Sequence, residues 1–425
     1  MVEITAVSTP EAGRETWDSV NCRLCGANDL GLVVDLGVQP LANSYVPPVR
    51  RLQMEPHYPL VVLRCPHCHL VQVPEIVSAS EIFSDYQYFS SYATSWVDHA
   101  RAYVERMAER FALTPRSRMI EVASNDGYLL QFARAKQIQV LGVEPAANVA
   151  RVAEQRGIPT YVGFFGRETA ARLRADGWSC DLMTANNVLA HVPDINDFAA
   201  GFALLLKPDG VATFEFPHLL NLIRENQFDT IYHEHFSYIS LMTAQSLFSR
   251  HGLRVFDVEK LPTHGGSLRL FVCHENAPHA DSAAVADLLK EERQFGLDRA
   301  ECYAEFSTAC VKVKNELLKF LIACAERGET VCGYGAAAKG NTLLNFCGVR
   351  PDNIRFVADR SPHKQGHLLP GTRIPVRAPD ELFRQRPDFL LILPWNLKDE
   401  IAQSMNDLRA QGCRFVTAIP SLNVF

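Results

Sequence analysis

The sequence predicts an α/β protein of three parts. A central doubly wound, Rossmann-like domain stands between a small N-terminal metal-binding domain and a C-terminal Rossmann-like domain. Three stretches predict this. Residues 119–132 read as a buried strand, a polar turn (Ser124-Asn125-Asp126-Gly127) and the start of an apolar helix, the opening of a βαβ series. Two Cys-x-x-Cys knuckles precede it, and a second strand enters a Gly-x-Gly turn and a helix after a long amphipathic stretch. The 425 residues are too many for one ordinary domain, and boundaries are expected at 1–75, 76–285 and 286–425.

The composition, 47% hydrophobic and 21% charged, is that of a soluble globular protein. A net charge of -6 without a dense basic run argues against a nucleic-acid partner. The start lacks the charged and apolar regions of a signal peptide, and no window reaches 18 apolar residues, so membrane spanning and export are not expected. A cytoplasmic location is expected instead. In a reducing compartment the scattered cysteines (Cys302, Cys310, Cys324, Cys332 among them) read as buried thiols, not disulfides.

Cys22-x-x-Cys25-Gly26 and Cys65-x-x-Cys68 supply four thiolates for tetrahedral zinc, and a glycine after the first knuckle lets the backbone turn around the ion. A short segment with few large apolar residues needs such a staple. The set implies no open coordination position, so the site reads as structural, with His67 and His69 spare; a redox pair of knuckles is the alternative. Residues 76–112 then carry Phe83, Tyr86, Tyr88, Phe89, Tyr92 and Trp96 and pass into a helix near 95–110. The aromatics suit ordinary core, while Tyr86, Tyr88, Ser90, Ser91 and Tyr92 also bring hydroxyls that suit a lid or a substrate contact.

From Met119 strands and helices alternate: strands at 119–123, 139–143, 159–162, 180–185 and 211–216, helices at 127–136, 146–156, 166–175 and 195–206. Glu144 closes the second strand, 23 residues after Glu121, where a carboxylate can accept from both ribose hydroxyls of an adenosine-type cofactor. The turn holds one glycine, Gly127, where a pyrophosphate would want Gly-x-Gly-x-x-Gly. Glu121, Ser124, Asn125 and Asp126 suit a cationic cofactor without phosphate, and S-adenosylmethionine fits that description; a generic sheet turn is the alternative. Asn186 and Asn187 follow the fourth strand on the same rim, and His191 falls into the predicted crevice.

Next comes Tyr232-His233-Glu234-His235-Phe236-Ser237-Tyr238. If the segment is extended, alternation puts Tyr232 and Glu234 on one face and His233 and His235 on the other. Histidine is matched to moving a proton at neutral pH, and an adjacent carboxylate or phenol can orient it. A hydrogen-bonded core pair and a metal site with His191 remain alternatives. A hairpin is expected over 256–274, around Thr263-His264-Gly265-Gly266, and a long helix over 283–325. The second sheet begins at Thr330 and runs through Tyr334-Gly335-Ala336 to Lys339-Gly340-Asn341, a nucleotide-type phosphate turn with a cation. Further strands are expected at 354–358, 389–393 and 415–418, with Lys364, Trp395 and Asn396 on strand-end loops. A glycine turn that only packs strand on helix is the alternative.

A methyl-donor crevice, an acid/base cluster and a phosphate turn suit methylation of a carbon beside a carbonyl, since such a C–H can be deprotonated; a keto-sugar carried on a nucleotide meets that need. The order of four-cysteine segment, Ser-Asn-Asp-Gly, Asn-Asn-Val-x-Ala-His, Tyr-His-Glu-His-Phe-Ser-Tyr and Gly-Tyr-Gly-Ala-x-x-Lys-Gly-Asn resembles the nucleotide-sugar C-methyltransferases of deoxysugar biosynthesis. The resemblance runs from about Cys22 to Leu422. It implies methylation by S-adenosylmethionine of a ring carbon, commonly C3 and sometimes C5, beside the 4-keto group of a dTDP-linked deoxysugar, through an enolate. It implies His235 as base, with Tyr232, Glu234 and His191 around the sugar and His191 or Tyr232 stabilising the enolate oxygen. It further assigns Glu144 to the ribose, Ser124 to Gly127 to the cofactor's amino-acid end, and Tyr86 and the Tyr334–Asn341 turn to the substrate. A monomer is expected, with no partner beyond its substrate. An O- or N-methyltransferase of a nucleotide sugar and a non-catalytic ligand-binding scaffold are the rival readings.

Overall fold

The structure, a computed structural model, describes residues 20–83, 90–92 and 94–425. Three antiparallel strands, β1 (Gly31–Gln39), β2 (Tyr58–Arg64) and β3 (Val71–Gln72), follow the knuckle chemistry closely, since the second knuckle joins β2 to β3. The central sheet then assembles β4 (Arg118–Val122), β5 (Gln139–Glu144), β6 (Thr160–Val162), β7 (Cys180–Asn186) and β8 (Leu206–Pro217) in parallel. β9 (Ser237–Tyr238) leaves this unit and pairs antiparallel with β3, so the N-terminal sheet is completed from the middle of the chain. The hairpin β10 (Leu253–Leu261) and β11 (Ser267–His274) returns beside β8.

The central order is β10-β11-β8-β7-β4-β5-β6. β4 reads as an apolar run because both its faces are covered. Met119 enters a cluster with Tyr103, Leu130 and Ile138, whereas Ile120 and Val122 enter the opposite one with Phe198, Phe202 and Phe214. The strand order reverses at β4, which has β5 on one side and β7 on the other. A crevice therefore opens beyond the C-terminal ends of β4 and β7.

Two expectations need correction. The stretch over 283–325 is two helices, Ala283–Phe295 and Ala300–Glu326, because Gly296 takes a left-handed φ of 99° and ends the first. The second helix, about 40 Å long at 1.5 Å per residue, buries Tyr303, Phe306, Cys310, Val313, Leu317 and Leu321 at helical spacing. These side chains join β1 and β2 to the C-terminal sheet through one core that also holds Val33, Val62, Val331 and Leu391. That sheet comprises β12 (Val331–Tyr334), β13 (Val357–Ala358), β14 (Val376–Arg377), β15 (Phe389–Ile392), β16 (Arg414–Thr417) and β17 (Asn423–Val424). The strand expected over 354–358 is thus confined to its last two residues. The order β14-β13-β12-β15-β16-β17, parallel except for β17, reverses at β12 and opens a second crevice between β12 and β15. No described helix is long and apolar enough to cross a membrane.

The four knuckle sulfurs converge: all lie within 4.8 Å of one another, with Cys22–Cys68 and Cys25–Cys65 at 3.4 Å. Tetrahedral Zn–S bonds of about 2.3 Å set sulfur–sulfur edges of about 3.8 Å, so the set fits zinc. His67 is exposed beside Asp29 and His69 lies half-buried against Arg64, which leaves both histidines out of the cluster. Three of the cysteines are buried against Leu241, Ile239 and other central-domain residues. Zinc binding here should therefore stabilise more than its own loop. Metal analysis should find about one zinc per chain, and Cys68→Ser should lower the thermal midpoint by several degrees or abolish soluble expression. A metal-free protein with an unchanged midpoint would overturn the structural role.

Candidate active site

The first crevice is built by a backbone that bends sharply after β4. Asn125 (φ 49°) and Gly127 (φ 78°) are left-handed, and a Cβ at position 127 would lie 2.9 Å from Ile158 Cγ1. Glu144 braces the turn, its two oxygens accepting from Asn125 N and Ala146 N at 2.9 Å each. Two acceptor sites remain on that carboxylate. Around it lie buried polar atoms without partners among the described residues: Glu121 Oε2, Ser124 Oγ, Asp126 Oδ1 and both amide atoms of Asn187. Burial pushes the Glu121 carboxyl well above its ordinary range and raises Glu144 as well. Buried polar groups want partners, and a ligand with hydroxyl and ammonium donors meets this acceptor-rich set, whereas a pyrophosphate does not. On the same rim Asn186 Oδ1 accepts from Thr184 Oγ1 at 3.2 Å.

A strap closes one side of the turn. Ser90 N donates to Asn125 Oδ1 at 2.8 Å, Ser91 Oγ donates to Asp126 Oδ2, and Arg156 Nη1 donates to the same carboxylate at 2.9 Å. Tyr86 and Tyr88, expected near this strap, lie outside the described residues.

The histidine segment departs from the extended form on which its expected alternation rested. His235 N donates to Tyr232 O at 2.9 Å, a turn that brings Tyr232 and His235 to one side with ring centroids 4.0 Å apart. His233 points away, its Nε2 3.1 Å from the Pro59 carbonyl of β2, and Glu234 accepts from Asn43 Nδ2 at 2.7 Å. The tautomers follow from the partners. His235 Nδ1 lies 2.9 Å from the Thr230 carbonyl and His191 Nδ1 2.7 Å from the Glu234 carbonyl; a carbonyl only accepts, so both rings carry their proton on Nδ1. The two rings meet edge to face at 4.6 Å. Burial, and then the neighbouring His191, hold His235 well below the ordinary histidine range, and burial takes His191 down to about 4. The pair is neutral at pH 7, with Nε2 of His235 an available base.

The second crevice faces this cluster. Gly335 is left-handed (φ 84°), and a Cβ there would lie 2.5 Å from Pro394 Cδ, so the β12 and β15 loops touch. Ala336 is fully engaged, its N–H donating to Asp359 Oδ2 at 2.7 Å and its carbonyl accepting from Lys364 Nζ at 2.7 Å and from Tyr45. Tyr334 Oη accepts from Arg360 Nε at 3.1 Å. Asn341 turns inward, its amide donating to the Ala42 carbonyl at 2.7 Å. Lys339 donates to Asn396 Oδ1 at 2.8 Å with Nζ 4.6 Å above the Trp395 ring.

Residues that the sequence reading left without a role complete the junction. Trp395 Nε1 donates to Asp229 Oδ2 at 2.8 Å, and the buried Asp229 is pushed up to about 6 by burial, against the pull of Lys339. His264 is held at φ 55° in the hairpin turn, edge-on to Trp96 at 5.4 Å. Behind it Glu215 accepts from Arg269 at 2.7 Å and lies 3.0 Å from His99. The paired glycines after His264 were a signal of a built turn; nothing in the local pattern marks Asp229.

Family models match three consecutive stretches: a "Putative zinc binding domain" over residues 22–83, a "Methyltransferase domain" over 95–258 and a "C-methyltransferase C-terminal domain" over 262–420. The chain is 37% identical over 403 residues to the C-methyltransferase NovU of Streptomyces niveus, covering 95% of this chain and 96% of that protein. Solved structures resemble only part of it. An S-adenosylmethionine-dependent methyltransferase from Mesorhizobium loti covers 40% of this chain and 97% of its own at 14% identity and a TM-score of 0.32, and one from Anabaena variabilis 41% and 84% at 14% and 0.35.

The site yields a stability test. Burial raises the Glu234 carboxyl to about 7, against a hydrogen bond from Asn43 that lowers it. A carboxyl raised on folding contributes stability in full below its unfolded pKa, about 4.5, and loses it as pH rises to the folded value. The thermal midpoint of the native chain minus that of Glu234→Gln should fall between about pH 4.5 and 7 and level off above. A flat difference across that window would remove the raised carboxyl.

Proposed function

The chain belongs to the zinc-domain C-methyltransferases, and from that premise we propose that it methylates a ring carbon, C3, beside the 4-keto group of a dTDP-linked deoxysugar, with S-adenosylmethionine as donor. The observation that carries the reading is His235: a neutral ring with its proton fixed on Nδ1 by the Thr230 carbonyl, set between the two crevices and against Tyr232. The first crevice would take the cofactor. Glu144 would receive the ribose hydroxyls, Glu121 and Asn187 the remaining donors, and Ser124, Asp126 and Gly127 the amino-acid end. When bound, S-adenosylmethionine supplies an electrophilic methyl group on a sulfonium.

The second crevice would hold the nucleotide diphosphate at the Tyr334-to-Asn341 turn, with Lys364 the cation facing it and Lys339, Trp395 and Asn396 along its edge. A sugar projecting from there reaches the histidine turn. His235 Nε2 takes the proton from C3, the C–H electron pair becomes the carbon–carbon double bond of the enolate, and the carbonyl pair moves onto oxygen. Tyr232 lies close enough to the ring of His235 to face that oxygen. Glu234 orients the turn from behind through Asn43 and its own carbonyl contact with His191. Holding both reactants across one junction can contribute up to about 7–11 kcal/mol of barrier reduction.

The test is mass spectrometry of dTDP-4-keto-deoxysugars in deuterated water, with and without S-adenosylmethionine. Deuterium uptake without the donor and methyl gain with it are expected. Methyl gain at oxygen or nitrogen without exchange would replace the reading with a heteroatom methyltransferase. His235→Ala should reduce both exchange and methyl transfer by at least about 10²-fold while S-adenosylmethionine binding stays near normal. Near-native exchange in that variant would remove His235 as the base.

A further inference from the structure

Lys339 stands where a phosphate turn would place its cation, yet its side chain leads elsewhere. It lies one helical turn before Thr342 on the helix Ala338–Cys347, and residues three apart share a face. Thr342 Oγ1 donates to the Ile231 carbonyl at 2.9 Å, so this face abuts the segment that carries the histidine turn. Lys339 is then steered by Asn396 and Trp395, and Trp395 is itself anchored on Asp229, the residue before the Thr230 whose carbonyl fixes His235. The lysine is thus built into the wall of the histidine site. Lys364, by contrast, donates to the Ala336 carbonyl of the turn itself and lies 5.1 Å from the Tyr45 ring.

Tyr232 offers one neutral donor to the enolate oxygen, and the histidines supply none. As His235 takes a proton, a full negative charge develops on the ketone oxygen, and a fixed cation or hydrogen-bond donor aimed there is worth most in a water-poor site. His191 has one ring proton, and it is directed at the Glu234 carbonyl. Its Nε2 therefore has no proton to give to an enolate oxygen.

Resting on the reaction proposed above, we propose that Lys339 is a catalytic residue that donates a hydrogen bond from its ammonium to the enolate oxygen, while Lys364 faces the diphosphate. The ammonium keeps its proton throughout: His235 Nε2 gains the C3 proton, and the new charge on oxygen is neutralised in place. Burial lowers the lysine's pKa from its ordinary value, opposed by the charge of Asp229, which makes the ammonium a stronger donor than one in water. Its charge adds to the burial that lowers His264 and His235, and opposes the burial that raises Asp229.

The experiment separates deprotonation from nucleotide binding. Deuterium uptake at the sugar carbon is measured without S-adenosylmethionine for the native chain, Lys339→Met, Lys339→Gln, Lys339→Arg and Lys364→Met, together with the Kd of dTDP and the thermal midpoint of each. Lys339→Met and Lys339→Gln should lose about 10²- to 10³-fold in exchange rate at saturating substrate. Their dTDP affinity should stay within about threefold of native, Lys339→Arg should recover part of the rate, and Lys364→Met should weaken dTDP. A Lys339 variant that folds, exchanges at the native rate per bound substrate and binds dTDP tenfold more weakly would return the lysine to the phosphate and overturn the assignment. Should Lys339→Met not fold, Lys339→Gln decides on the same two readouts. Absence of exchange in the native chain would remove the reaction and this role together, whereas native exchange matched by Lys339→Gln would remove the role alone.

Discussion

The hydrogen bond from His235 Nδ1 to the Thr230 carbonyl is the interaction on which the proposed chemistry depends, because it decides which ring nitrogen can take a proton. A single bond of this kind is only as well placed as its acceptor, and all three units of the chain hold the surrounding segment. Thr342 of the C-terminal helix bonds the Ile231 carbonyl. The central unit bonds Phe236 N through the Ala190 carbonyl at 2.7 Å, and the N-terminal sheet takes the Phe236 carbonyl on Val73 N at 3.0 Å before pairing β9 with β3. The zinc cluster sits at the turn between β2 and β3, so its effect on activity passes through backbone geometry; no ligand sulfur is available for the reaction.

Burial gives this junction its electrostatics. Two neutral histidines, a raised glutamic acid, a buried lysine and a buried aspartate are costly to hide singly. Grouped, they limit one another's charge: His191 and His235 remain unprotonated side by side, and Asp229 offsets part of the penalty on Lys339. A base that is neutral before reaction and a cation that is present before reaction need no reorganisation when charge develops. The Glu215–Arg269–His99 set, beneath His264, is a further buried ion group, and its hydrogen bonds leave Glu215 below its ordinary range.

The parts legible in the sequence are those in which local pattern and tertiary demand agree. β4, β5, β7 and β8 are apolar runs ended by polar turns, and the parallel sheet needs both properties. The four cysteines announce themselves by spacing. The histidine turn was harder, because Tyr-His-Glu-His satisfies a strand period and a tight turn equally well; the outcome rests on a register with β3 more than a hundred and fifty residues earlier in the chain. Gly296 could have announced the break in the long helix, since a glycine in αL ends helices, but a glycine inside a helical period is also tolerated. Asp229 was illegible for a plainer reason. Its meaning comes from Trp395, and no local rule connects an acid in a one-turn helix to an indole in another sheet's loop.

That contact also explains why two reversing sheets occur in one chain. Each switch point can hold one ligand by the same geometry, but on the proposed reaction neither crevice alone would hold a base, a donor and both reactants. Placing the β15 loop on Asp229 and the Ala338–Cys347 helix on Ile231 turns two separate binding edges into one wall with His235 between them. The helix Ala300–Glu326 keeps the C-terminal sheet at that distance, since its buried stripe is packed into the core shared with β1 and β2. The relative position of the crevices is therefore set by apolar packing far from the chemistry, while the polar contacts at the junction set only its fine alignment. A substitution that loosened the packed stripe of that helix would move one reactant against the other without touching either, and the cost would appear in turnover before it appeared in binding.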